Sequence, residues 1–365
     1  MNRSLSPLSF AFLFAGSFLG AGFLSGRELW QFFGVFGKLG IAGFAVSLVL
    51  FFSFSAALLL RAENSGEEDP AALFSGEDGG LRRNLFRILE ALFLLGIFFV
   101  MAAGAAALLD SAFRLPKTLG AGVFALLCAL CARKGVEAVA KALSFSVPLL
   151  LLAAFLVFVR FLRAGDLFSL DFSAAAEPTG PLANPFLSAL LYASFNYFGA
   201  AAILLPFAKL HRRRRSLLLG AASGSLMLLL CGLFVLLPLF ASAPARRRAL
   251  PMLALCESLH PLLGSVFAML LLLGMFGAAL TRVFALLKLC ERIPRRPKPA
   301  ALLFPLTIAA AAAGSFGFER LVVLLYPLFG VLGFFAFLCF LIFGAKSGEP
   351  RPSRRVLSRK NTAQP

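Results

Sequence analysis

Histidine is nearly missing from this chain, with only His211 and His260 in 365 residues. No H-E-x-x-H motif occurs and no pair of acids lies within one apolar segment. These absences remove the usual zinc-hydrolase and paired-carboxylate chemistries. Acidic residues are also scarce, 17 Asp and Glu against 35 Lys and Arg, for a net charge of +18. Cysteines number six. Cys128 and Cys131 form a C-x-x-C, but inside an apolar run with no His or acid nearby, so they read as small thiols filling a helix and not as a metal or redox motif. No enzyme activity, cofactor or metal is expected.

Apolar residues are abundant: 60% of the chain is hydrophobic and the mean hydropathy is +0.90. A soluble fold cannot hide that much apolar surface. Several runs exceed the roughly 18–20 residues that cross a bilayer. Because the runs are continuous and do not alternate, a transmembrane β-barrel is excluded. The expected class is an all-α polytopic membrane protein in contact with the lipid bilayer. The basic residues cluster in short links between apolar runs, which is the positive-inside pattern and not a nucleic-acid surface. Residues 346–365 read as a basic, disordered cytoplasmic tail in reach of anionic lipid heads, behind a single membrane domain over 1–345.

Ten spans are predicted, at about 8–36, 39–60, 85–109, 117–132, 138–162, 184–209, 215–241, 261–289, 300–315 and 320–344. The larger share of Lys and Arg falls on one side, which places both termini in the cytoplasm; Arg246, Arg247 and Arg248 run against that bias. The acidic link 61–84 reads as a mobile loop, and 251–263 as an external helix or re-entrant cap. Five spans per half (8–163 and 184–344) make any internal repeat inverted. Each half opens on a helix that the sequence weakens in its middle. Paired interruptions of that kind point to a transporter site at the midplane.

The first interruption is Gly20-Ala21-Gly22-Phe23, between Gly16 and Gly26 and followed at once by Arg27 and Glu28. Each glycine costs a helix about 1 kcal/mol. Unwinding there would turn backbone amides toward a cavity, where they could hold a carboxylate; tight helix packing through small-xxx-small spacing is the competing reading. The second is Ser194-Phe195-Asn196-Tyr197, where a mid-span Asn must find a partner or line water. Arg27 and Glu28 read as gating or pairing residues, with Glu28 also able to carry a proton. Thr281 and Arg282 sit deep in the eighth span. Two readings of Arg282 stand side by side: its guanidinium takes the place of a coupling cation, or it snorkels to the cytoplasmic surface.

The pattern Gly20-Ala21-Gly22-Phe23-x-Ser25-Gly26-x-Glu28-x-x-Gln31-Phe32-Phe33-x-x-Phe36-Gly37 resembles the signature of the YkvI-type family of bacterial membrane proteins. Tyr192-Ala193-x-Phe195-Asn196, Pro251-Met252 and Tyr326-Pro327-x-Phe329-Gly330-x-x-Gly333 support it. That family is similar to the amino acid–polyamine–organocation superfamily. The resemblance implies a LeuT-like fold of two inverted five-helix repeats, discontinuous first and sixth helices, and a bacterial plasma-membrane location. It implies a small-molecule substrate held between the two breaks. The expected function is secondary transport of a small amino acid or related zwitterion or amine, proton-coupled or uncoupled. Its carboxylate would meet amides near Gly20 to Phe23 and its amine would meet freed carbonyls near Phe195 to Tyr197. A transport-inactive membrane sensor or assembly partner of the same fold is the alternative. The sequence specifies no oligomeric state.

Overall fold

The computed structural model describes residues 6–16, 18–19, 21–65, 69–76, 80–134, 136–163, 170–173, 183–208, 214–291 and 299–344. The 346–365 tail, Gly20 and the side chain of Ala21 lie outside the described residues. The first apolar run becomes α1 (Pro7–Gly16), α2 (Ala21–Leu24), α3 (Arg27–Phe32) and a tight turn at Gly34–Phe36. Then come α4 (Lys38–Ser65), α5 (Pro70–Ser75), α6 (Gly80–Phe113), α7 (Lys117–Ala132) and α8 (Val136–Arg163). The second half holds α9 (Pro185–Ala208), α10 (Arg214–Phe240), α11 (Ala243–Arg246), α12 (Pro251–Leu259), α13 (Pro261–Glu291), α14 (Pro299–Phe316) and α15 (Phe318–Gly344). Helices α1, α5, α9, α12, α13 and α14 all begin on a proline. Its missing N–H costs nothing there, because the first-turn amides have no intrahelical acceptor.

Among the described residues, α4, α6, α10, α13 and α15 are each long and apolar enough to cross a membrane. Their outer faces stay greasy: Leu324, Leu328, Phe335 and Ile342 on α15 are all exposed. An apolar surface of this kind is stable only against lipid. The molecule is a multi-pass membrane protein.

Helix α9 lies at the centre, packed between α4 and α15, while α1 packs on α10 and α8. The side chain of Asn184 caps α9 by accepting from the amides of Phe186 (2.9 Å) and Leu187 (3.2 Å). Gly330 and Gly333 bring α15 onto α9 backbone to backbone; a Cβ at Gly330 would lie 3.0 Å from the Leu191 carbonyl oxygen, and one at Gly333 still closer to that of Ser194.

Two expectations fail. Helix α9 is continuous from Pro185 to Ala208, so the sixth helix is not broken at Ser194–Tyr197. Asn196 satisfies its amide without unwinding, by donating to the Tyr192 carbonyl one turn earlier at 2.9 Å. The link 61–84 is not simply a mobile loop either. Its middle folds into α5, every residue of which is buried. Asp69 caps α5 through the Ala71 amide (3.2 Å) and pairs with Arg87 on α6 (2.6 Å). The short apolar stretch Ala71 to Phe74 was masked by the acids around it.

Phe74 is 1% exposed whereas Leu81 is 87% exposed. Phe74→Ala should therefore lower stability by about 3–5 kcal/mol, and Leu81→Ala by no more than about 0.5 kcal/mol. Thermal melts of the purified variants in one detergent check the contrast.

Candidate functional site

The interruption of the first span is double. Helix α1 ends at Gly16, a single turn of helix stands at α2, and a second turn at Ser25–Gly26 leads into α3. Gly26 has φ +78°, a left-handed conformation that costs other residues roughly 1–2 kcal/mol. Ser25 closes the turn by donating to the Gly22 carbonyl (3.2 Å), and the free Ser25 carbonyl accepts from the Met252 amide of α12 at 2.8 Å. The short helix expected near residue 251 is thus pinned onto the break.

This double turn separates the side chains of two consecutive residues. Arg27 reaches Glu319 at the start of α15 and forms an ion pair, with Arg27 mostly covered and Glu319 half exposed. Glu28 points the other way, into the protein, and is 4% exposed. It folds back over Gly22: a Cβ there would lie 2.5 Å from Glu28 Oε2 and 2.8 Å from the Tyr326 hydroxyl. The carboxylate also meets the Tyr192 hydroxyl and lies within electrostatic reach of Arg282.

Arg282 does not snorkel. It is 4% exposed in the middle of α13, and its Nη1 donates to Thr281 Oγ1 at 3.3 Å. Thr281 in turn donates to the Ala278 carbonyl (2.7 Å). Arg282 Nη2 approaches α9 at Gly199, 3.7 Å from where a Cβ would stand. Its Nε is buried without a hydrogen-bond partner among the described residues. Glu28 and Arg282 feel each other's charge but, among the described residues, do not close to a 4.0 Å ion pair. A buried acid and a buried base held apart can accept a ligand that carries both charges.

At about 100° per residue, Tyr192, Phe195, Asn196 and Gly199 share one face of α9, and Ser194 and Tyr197 share the opposite one. Phe195 stacks on Tyr326 at 4.8 Å, and Asn196 donates to the Tyr192 backbone carbonyl at 2.9 Å. These join Glu28 and Arg282. Ser194 instead faces the α15 backbone at Gly333. Tyr197 packs among Phe54, Phe74 and Phe337, at 5.8, 5.8 and 5.5 Å. Phe23 turns outward onto Phe44, 6.3 Å away. Gly22 is in the cluster. The freed carbonyls expected at Phe195 to Tyr197 do not exist, because those residues are helical.

Tyr192 and Tyr326 are the site residues that pattern reading missed. Their signal was rarity: the chain has three tyrosines against 43 phenylalanines, and all three are buried. Two of the three hydroxyls stand beside Glu28, whereas that of Tyr197 is buried without a hydrogen-bond partner among the described residues.

Toward the end of the bundle where α3 meets α11, Arg246 is 5% exposed and ties three elements together. It donates to the Phe240 carbonyl (2.9 Å), approaches Asp171 (3.3 Å) and covers the Trp30 ring at 4.9 Å. The Ser173 hydroxyl and amide, with Arg246 behind them, hold the exposed Asp171 carboxyl below its ordinary range. On α5, between α4 and α6, Phe74 stacks on Phe198 at 5.9 Å. Among the described residues no three or more His, Cys, Asp or Glu side chains group as metal ligands.

No family model matches the chain. It is 28% identical over 358 residues to the uncharacterized membrane protein YkvI of Bacillus subtilis, covering 96% of this chain and 98% of that protein. It is 22% identical to the uncharacterized protein YyaD of the same organism, over 91% and 95% of the two chains. Among solved structures it is similar to MhsT in complex with L-phenylalanine, with a TM-score of 0.64, 16% identity and coverage of 93% and 89%. The manganese transporter of Eremococcus coleocola gives 0.59, at 15% identity over 96% and 82%. The nucleobase-cation-symport-1 family transporter Mhp1 gives 0.53, at 17% identity over 91% and 71%. The YkvI-type resemblance and the LeuT-like fold expected from the sequence both hold.

Tyr326→Phe keeps the stack on Phe195 and removes only the hydroxyl beside Glu28. Its melting temperature should stay close to the parent's, with a cost of about 1 kcal/mol. Removing both members of the Arg27–Glu319 pair in a double-mutant cycle should return a coupling of about 0.2–1 kcal/mol, since Glu319 is half exposed.

Proposed function

We propose that the protein is a secondary transporter of a small amino acid or related zwitterion, working by alternating access around Glu28 and Arg282. The single observation that carries the reading is this separated, buried acid and base beside an interrupted helix. The ligand's ammonium would sit on Glu28 with the Tyr192 and Tyr326 hydroxyls, and its carboxylate on Arg282. That orientation replaces the one read from the sequence. The donors are a carboxylate, a guanidinium, hydroxyls and an amide, a set that suits an organic zwitterion. Gly20 and Ala21 are proposed to border the same space. Coupling is to protons, with Glu28 as the carrier, or absent; Arg282 stands as the fixed cation that makes a coupling metal ion dispensable.

Ten spans in two inverted halves remain the proposed architecture, with α1 to α3 together as the first span, and α4, α6, α7, α8, α9, α10, α13, α14 and α15 following. The packing pattern supports it. Exchanging the halves turns α1 on α10 into α9 on α4, α8 on α1 into α15 on α9, and α13 on α8 into α6 on α15, and every one of these pairs is in contact. Both termini are proposed to lie in the cytoplasm of a bacterial plasma membrane. Arg27–Glu319 then belongs to the outer gate and α5 to the inner one.

The test is uptake and binding by protein reconstituted into liposomes, over a panel of amino acids and the amines lacking their carboxylates. A zwitterion should bind better than its amine in the parent. Arg282→Gln should abolish that preference, and Glu28→Gln should weaken every amine-bearing ligand by about 2–5 kcal/mol. No uptake, exchange or binding across the panel by folded protein would overturn the transporter reading in favour of a transport-inactive sensor.

A further inference from the structure

A cleft between α4 and α10 shares no lining residue with the Glu28–Arg282 cluster. It is an open cleft of about 520 Å³ lined by Phe52, Arg214, Arg215, Leu218, Leu219 and Ala222. The two arginines stand exposed at its mouth. Among the described residues neither has an acidic partner within 4.0 Å. Below them the wall is entirely hydrocarbon. Leu218, Leu219 and Ala222 carry it some 10 Å down α10, at about 1.5 Å per residue, and Phe52 of α4 closes it from the other side. Leu219 is 51% exposed, and Leu226 and Leu230, 56% and 45% exposed, continue the same open face along α10. Both helices are apolar enough to cross a membrane, so the cleft opens sideways into lipid.

We infer that this cleft binds one anionic phospholipid from the surrounding bilayer. Two forked guanidiniums match the oxygens of a phosphodiester, with two donors in one plane from each. The aliphatic floor takes the first part of an acyl chain. The sequence of chemistry down the cleft, cation then hydrocarbon, repeats the sequence along a lipid from phosphate to tail. A free phosphate would use the mouth and leave the floor empty, which is why a lipid and not a soluble anion is assigned. The chain's net charge of +18 biases the surrounding field the same way.

The experiment uses the full chain purified in a neutral detergent. Phosphatidylglycerol and phosphatidylcholine of identical acyl chains are titrated, with melting temperature and native mass spectrometry as readouts. The parent should retain phosphatidylglycerol and be stabilised by it well above phosphatidylcholine. Arg214→Gln with Arg215→Gln should weaken that binding about tenfold or more. Ala222→Phe keeps both charges and fills the floor, and should weaken it too. Arg133→Gln with Lys134→Gln, which removes two exposed cations elsewhere, should leave it unchanged. Equal binding of the two lipids by the parent would overturn the assignment, as would an unchanged preference in the double arginine variant. So would glycerol 3-phosphate alone reproducing the stabilisation with Ala222→Phe without effect, since that result describes a soluble-phosphate site.

Discussion

Charging a side chain inside a low-dielectric protein is expensive, several kcal/mol even after relaxation, and the centre of this molecule is arranged around two ionisable ones, Glu28 and Arg282. Glu28 and Arg282 lie within each other's electrostatic reach and beside the Tyr192 and Tyr326 hydroxyls. The rest of the centre follows. The turn at Ser25–Gly26 aims Glu28 inward; Thr281 gives Arg282 a local acceptor. Two of the three tyrosines place hydroxyls against the carboxylate. Among the described residues the two do not close to an ion pair, which leaves each able to meet a further polar group.

Around this polar layer the packing is aromatic and tight. Phe93 touches Phe195, Phe198 and Phe329 at 5.7, 5.2 and 4.9 Å. Phe33 joins α4 to α9 through Phe44 and Tyr192. Ser188 fastens the end of α3 to α9 by donating to the Phe32 carbonyl at 2.6 Å. Dense rings resist continuous deformation, so a rearrangement here would move whole helices against one another and not loosen the interior.

Much of this was legible beforehand. Apolar run length gave the class and the long helices, because the bilayer imposes it on any chain. The weak point in the first span was legible because glycine acts locally, at Gly16, Gly22 and Gly26. What failed was the sixth helix. A mid-span Asn followed by a Gly looks like a break, yet Asn196 found its acceptor on the preceding turn. Whether a polar side chain breaks a helix or is absorbed by it depends on rotamer and neighbours, which pattern does not carry. For the same reason Ser194 and Tyr197 read as part of the site although helical geometry turns them to the opposite face. The depth of Arg282 was visible, but its partner was not, since residues 28 and 282 are joined only by the fold.

The chain has one tryptophan, Trp30. It lies on α3, 6% exposed, with the Arg246 guanidinium 4.9 Å above its ring and Phe240 at 5.2 Å. Its indole emission therefore has a single source, seated on the same short helix as Arg27 and Glu28 with a cation against its ring. The protein carries its own optical reporter of the second half of the broken helix, and no label need be introduced to follow it.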